Sequence, residues 1–91
     1  MTRSELCARV AARSSLSKAD VAAALGALTS TIADALAEGE TVTVAGFGTF
    51  STRDRPAREG RNPRTGEAIA IAASRAPAFK PGKTLRDAVN R

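Results

Sequence analysis

The stretch Thr41-Val42-Thr43-Val44-Ala45-Gly46-Phe47-Gly48-Thr49-Phe50-Ser51-Thr52-Arg53 is where the apolar period of this 91-residue chain drops to two. Thr41 to Val44 alternates, Ala45-Gly46 supplies a short turn, and residues 47–53 form a second β-prone run, so the segment reads as a β-hairpin. On its N-terminal side the period is 3.6. Val21, Leu25, Leu28, Ile32 and Leu36 form one stripe on an alanine-rich segment that stops at Gly39, a natural residue just past a helix end. Ser17 and Asp20 stand as N-cap and third-position partner, with Leu16 and Val21 as a hydrophobic staple, which predicts a helix over about 18–38. Gly26 lies inside it, at a cost of about 1 kcal/mol relative to alanine if exposed, or as a point of close helix packing. Upstream, Thr2-Arg3-Ser4-Glu5 reads as a capping box, with Glu5 reaching back, for a helix over about 3–13 carrying Leu6, Cys7 and Val10.

Beyond the hairpin, residues 54–74 have few apolar anchors and contain Arg55, Arg58, Arg61 and Arg64, with a turn at Asn62-Pro63-Arg64-Thr65-Gly66 before Ile69 and Ile71 resume alternation. A ribbon so composed cannot bury itself. It is expected to project as a two-stranded arm over about 53–75, and an isolated hairpin is marginal in water until a ligand orders it. Pro56 lies within it and is tolerable on a free ribbon if its nitrogen faces outward, kinking or pinning the arm there. Pro81-Gly82 then precedes a short helix over about 83–90, with Leu85 and Val89 expected to face inward.

The composition limits what such a chain can do. Twenty of its apolar residues are alanine, and Phe47, Phe50 and Phe79 are its only aromatics, so a single chain has little with which to build a core. A partner chain is the evident remedy, with Leu28, Ile32, Leu36, Val44, Phe47, Phe50 and Phe79 as the expected dimer core. The phenylalanines have an alternative use as stacking platforms for single-stranded bases, but so few large apolar residues are more simply core. The net charge is +5, and it is unevenly placed: residues 1–52 carry net −1 and residues 53–91 net +6. That is the footprint of a nucleic-acid or anionic-surface binder whose contact surface is its second half.

One cysteine and no histidine exclude an intrachain disulfide and His-based catalysis. No carboxylate pair, nucleophile with a base or phosphate-cradling loop is present, so no catalytic residue, metal, cofactor or small-molecule substrate is expected. Cys7 reads as a small buried hydrophobe, with a redox-sensing thiol as the alternative. No apolar stretch is expected to approach membrane-spanning length, no signal-peptide core is visible, and a cytoplasmic location follows by default.

The run Gly46-Phe47-Gly48-Thr49-Phe50, followed at fixed spacings by Arg55, Arg58, Gly60, Asn62-Pro63 and Thr65, closely resembles the signature of the bacterial HU and integration-host-factor family. The likeness extends through Ser4-Glu5-Leu6, Leu16-Ser17-Lys18 and Phe79-Lys80-Pro81-Gly82-Lys83. It implies an α+β fold in a single domain over 1–91: a helical dimerisation base over 1–40, a three-stranded antiparallel saddle with its arm over 41–82, and a C-terminal helix over 83–91. It also implies an intertwined dimer, of this chain with itself or with a paralogue, that binds double-stranded DNA in the nucleoid.

Arginine at alternating ribbon positions can line both phosphate walls of a narrow minor groove. Arg53 and Arg55 share one face by period two, with Arg58 and Arg64 nearer the other. Pro63, a rigid ring without an N–H, is the candidate intercalating wedge. The DNA-binding set is Arg3, Arg53, Arg55, Arg58, Arg61, Asn62, Pro63, Arg64, Thr65, Arg75, Lys80, Lys83 and Arg86. Within it, the family likeness suggests Lys80, Lys83 and Arg86 as flanking the duplex, and Arg3 opposes its own helix dipole, so an external anion would account for it. The expected function is architectural: largely sequence-independent binding, bending and compaction. The alternatives are a sequence-preferring bending subunit and a dimer that binds RNA or an acidic protein.

Overall fold

The computed structural model describes residues Met1 to Arg91 and divides into two compact units, Met1–Ala35 and Leu36–Arg91. The element order is α1 (Arg3–Arg13), α2 (Lys18–Ala37), β1 (Val42–Val44), β2 (Gly48–Arg55), β3 (Arg58–Arg61), β4 (Ala68–Ile71), β5 (Ser74–Pro81) and α3 (Lys83–Val89).

Local chemistry sets the helix ends. The Thr2 hydroxyl accepts from the Glu5 amide at 3.2 Å, while the Glu5 carboxylate meets the Thr2 hydroxyl at 3.3 Å instead of reaching the Thr2 backbone. The Asp20 amide donates to Ser17 Oγ at 3.1 Å, which starts α2 where expected. At the other end Gly39 takes φ +82° and donates to the Leu36 carbonyl at 3.0 Å, a left-handed stop that glycine adopts without strain.

In the first unit, Cys7 and Val21 are buried, and they are the only buried apolar side chains of the chain. Around them Leu6, Val10, Leu16, Ala24, Leu25 and Leu28 line an open apolar groove of about 260 Å³. A Cβ added to Gly26 would lie 3.1 Å from Arg3 Nη2, the far end of a flexible side chain.

Two expectations are corrected. Val89 does not face inward; it is 72% exposed, while Leu85 is half-buried. Four residues apart, the two share a helix face, but Val89 is the last residue of α3 and nothing in the single chain covers it. The expectation that no apolar stretch approaches membrane-spanning length also fails. Helix α2 has 20 residues and is apolar enough, by length and composition, to cross a bilayer. Eight alanines and only three charged residues, Lys18, Asp20 and Asp34, produce this, and core helices of ordinary proteins pass the same test.

The second unit contains a three-stranded antiparallel sheet ordered β1-β2-β5 and a separate two-stranded ribbon, β3-β4. In β2-β5 the pairs run from Gly48 opposite Pro81, through Phe50 opposite Phe79, to Arg55 opposite Ser74. In the ribbon they run from Arg58 opposite Ile71 to Arg61 opposite Ala68. Both ladders have the same register, with Pro56-Ala57 facing Ala72-Ala73 in the gap between them. Pro56 has no N–H to give, so the ladder breaks without slipping. The arm expected over 53–75 therefore divides: its outer residues extend the sheet, and only 58–71 form the independent ribbon.

Antiparallel partners share a face and successive residues alternate, so this register sorts the side chains. Val42, Val44, Gly48, Phe50, Pro77, Phe79 and Pro81 fall on one side. The three phenylalanine rings cluster with centroids 4.8 to 6.4 Å apart, yet Phe47 and Phe79 remain 43% and 41% exposed. The cluster closes over Gly48, where an added Cβ would lie 2.6 Å from the Phe79 ring and 2.6 Å from the Lys80 carbonyl oxygen. Gly48→Ala is accordingly expected to cost roughly 1–3 kcal/mol by overpacking, toward the upper end because backbone is among the obstructing atoms. Urea unfolding of the variant beside the parent checks this; equal midpoints would contradict it.

Candidate nucleic-acid interface

The opposite face of the sheet is polar. Thr43, Thr49 and Lys80 lie in one row across β1, β2 and β5, followed along β2 by Ser51, Arg53 and Arg55. The two threonine hydroxyls approach to 3.4 Å. The residues that pair with β2 here are Ala78 for Ser51, Ala76 for Arg53 and Ser74 for Arg55. In the ribbon the same parity carries Glu59 and Arg61, with Ala70 and Ala68 across from them. The result is a run of arginines on one strand beside a run of methyl groups and small hydroxyls on the next. Arg53, Arg55, Arg61 and Lys80 are exposed, and their small neighbours leave room for a polyanion backbone to approach the cationic groups closely.

The other face of the ribbon differs. Arg58 and Gly60 stand opposite Ile71 and Ile69, and a Cβ on Gly60 would lie 2.9 Å from Ile71 Cδ1. The missing side chain gives Ile71 its seat, yet Ile69 and Ile71 stay 44% and 39% exposed.

Backbone bonds close the ribbon tip: the Asn62 amide donates to the Glu67 carbonyl at 2.9 Å and the Gly66 amide to the Asn62 carbonyl at 2.7 Å. Gly66 takes φ +71°. Asn62 Oδ1 accepts from the Arg64 amide at 2.9 Å and Thr65 Oγ1 from the Glu67 amide at 3.3 Å, so both side chains serve the turn itself. Arg61 reaches the Gly66 carbonyl at 3.5 Å. Pro63 and Arg64 are exposed at the tip.

Of the thirteen residues expected to bind, Lys80, Arg53 and Arg55 lie on one face of the sheet and Arg61 has the same parity in the ribbon, with Asn62, Pro63, Arg64 and Thr65 at the tip. Arg58 belongs to the ribbon's other face. Arg75 lies opposite Asp54 on the apolar side, and its Nη2 donates to the Ala37 carbonyl at 2.9 Å, satisfying an orphan carbonyl at the end of α2. Arg3 donates to the Ala22 carbonyl at 3.4 Å, so within its own unit it links α1 to α2. Lys83 and Arg86 are exposed on α3, whose start is fixed by the Gly82 amide donating to the Phe47 carbonyl at 2.8 Å. Sequence reading missed the hydroxyl row and the position of Glu59 among the arginines. Parity along β2 and β3 would have found both once the register was known.

The whole chain has known counterparts. Residues 1–90 match the family described as bacterial DNA-binding protein. A DNA-binding protein HU of Xylella fastidiosa is 54% identical over 89 residues, 98% of this chain and 95% of that one. One from Lactococcus lactis is 55% identical over 87 residues, 96% of each. Among solved structures, an Anabaena HU–DNA cocrystal superposes with a TM-score of 0.90 at 46% identity, covering 98% of this chain and 97% of that one. HU from Thermotoga maritima gives 0.68 at 34%, covering 98% of both.

Arg75 and Arg55, 20 residues apart in the chain, should separate by role in the protein alone. Arg75→Ala is expected to lower stability by about 1 kcal/mol through the lost carbonyl bond, and Arg55→Ala by less than about 0.5 kcal/mol. Thermal unfolding of the two variants tests this, and equal losses would contradict it.

Proposed function

This chain belongs to the bacterial DNA-binding protein family, and from that membership we propose how it performs the family's task with its own residues. It is a histone-like architectural protein that binds duplex DNA and is not an enzyme. The observation that carries the mechanism is the single register, kept across the break between sheet and ribbon, that gives Lys80, Arg53, Arg55 and Arg61 matching parity.

In this reading the polar sheet face lies against the duplex and the ribbon follows the minor groove. Each guanidinium that replaces a condensed counterion contributes entropy, which makes binding strong at low salt and largely indifferent to sequence. Arg58 and Arg64 meet the groove wall from the ribbon's other side and tip, while Lys83 and Arg86 flank the site. Asn62 and Thr65 hold the tip rigid so that Pro63 is presented as a wedge with no donor to leave unsatisfied. Minor-groove architectural proteins, this family among them, offset unstacking of a few kcal/mol per step with the contacts that bent DNA allows. Smooth bending of a 20–30 bp site adds about 1–6 kcal/mol.

The functional unit is a dimer, of this chain with itself or with a paralogue. Leu28, Val44, Phe47, Phe79 and Val89 stand 39% to 72% exposed in the single chain, with Ile32, Leu36 and Phe50 half-buried, and a second copy supplies what covers them. Sedimentation at twice the chain mass of 9.4 kDa is expected, and a monomer would contradict the assignment. The protein works in the cytoplasm, associated with the nucleoid.

In fluorescence-anisotropy titrations, log affinity should fall with log salt by about 0.9 per neutralised phosphate. Arg61→Ala should reduce affinity on every duplex and shallow that slope by about 1; a flat salt response would sink the reading. Pro63→Ala should reduce bending, seen as end-to-end energy transfer on a doubly labelled duplex, more than it reduces affinity. Unchanged bending would remove the wedge.

A further inference from the structure

Glu59 shares its ribbon face with Arg61, two residues on, and has the parity of Arg55, four residues before it at the end of β2. It is the one acidic side chain at a paired position on that face: Asp54 falls on the opposite parity, and Glu67 lies outside the strands. Its cross-strand partner is Ala70, with Ala68 beside it on the same face, and these methyl groups neither cover nor neutralise a carboxylate. Glu59 is exposed.

A carboxylate on a surface applied to DNA repels phosphate unless it finds a donor. Ionised, it offers acceptors only. The minor-groove floor of an A·T pair also presents acceptors only, adenine N3 and thymine O2, whereas a G·C pair adds one donor, the guanine N2 amine. Lone pairs therefore face lone pairs over A·T, and a charge-assisted hydrogen bond becomes available over G·C. The neighbouring arginines pull the other way, since narrow A-tract grooves have the stronger negative potential.

We propose that Glu59 selects where the arm settles, accepting a hydrogen bond from guanine N2 and disfavouring grooves built only of A·T pairs. This rests on the minor-groove reading of the arm given above. The geometry behind it is the shared parity of Glu59 with Arg53, Arg55 and Arg61, opposite side chains too small to intervene.

The test uses the full chain and three duplexes of equal length whose central segments are A·T only, G·C-containing, and the same G·C sequence with inosine for guanine. Inosine removes the N2 amine and leaves the major-groove edge unchanged. At fixed salt the protein should prefer the G·C duplex to the inosine duplex by about threefold, small enough to leave binding largely indifferent to sequence, and treat the inosine duplex like A·T. Glu59→Gln both donates and accepts, so its preference should fall below about twofold, while its unfolding midpoint stays that of the parent. Equal binding of guanine and inosine duplexes by the parent, or a preference that survives in Glu59→Gln, overturns the inference. A uniform gain of affinity by the variant on all three, with no guanine preference in the parent, also overturns it, since Glu59 would then only repel phosphate. Failure to bind any of the three would remove the arm reading itself and this inference with it.

Discussion

The pairing of β2 with β5, carried in one register into the ribbon, is the constraint from which the sheet unit's surface chemistry follows. A shift of one residue would exchange the faces, sending Phe50 to the polar side and Arg53 to the aromatic side. The Phe79 ring over Gly48 holds the register in place. Only a residue without a Cβ fits under that ring, so the Gly48-Pro81 end of the ladder has little freedom to slip. Outward from there the register passes Pro56 intact, although two residues on each strand are unpaired. The register kept across the interruption gives Arg61 of the ribbon the parity of Arg53 and Arg55 in the sheet.

The same register leaves an obligation on the other face. Three clustered phenylalanines, two of them more than two-fifths exposed, and a helix pair with only Cys7 and Val21 buried, do not add up to an adequate core for 91 residues. Apolar surface left open on both units and cationic surface gathered on one face are two results of one economy. The chain has few large side chains, and in the sheet unit the aromatic cluster and the arginines of β2 fall on opposite faces.

Much of this was legible in the sequence, for reasons that differ by element. Both long helices begin where Thr2 and Ser17 can cap them, and α2 ends at a glycine able to take positive φ; these are local rules, and the structure follows them. The turn at 62–66 was equally local, because Asn62, Thr65 and Gly66 each satisfy a backbone need within four residues. The failures were non-local. Whether Val89 faces inward depends on what α3 packs against, which its own seven residues do not encode. The partner that Arg75 meets is a carbonyl 38 positions away, which no local rule supplies. Glu59 was passed over because a single acidic residue in a basic run carries no signal until strand parity places it among the arginines. The expectation that no apolar stretch approaches membrane-spanning length failed for a local reason instead: the eight alanines of α2 lengthen an apolar run while adding little buried area.

The central claim is that strand register turns Arg53, Arg55 and Arg61 toward DNA and Arg75 away from it. Residue-resolved arginine modification tests it most directly: the protein is treated with phenylglyoxal, free and saturated with duplex, and each site is quantified by mass spectrometry. Arg53, Arg55 and Arg61 should be protected by DNA together, while Arg75 is modified to the same extent with and without it. Protection of Arg75 equal to theirs, or loss of protection at any one of the three, would contradict the account.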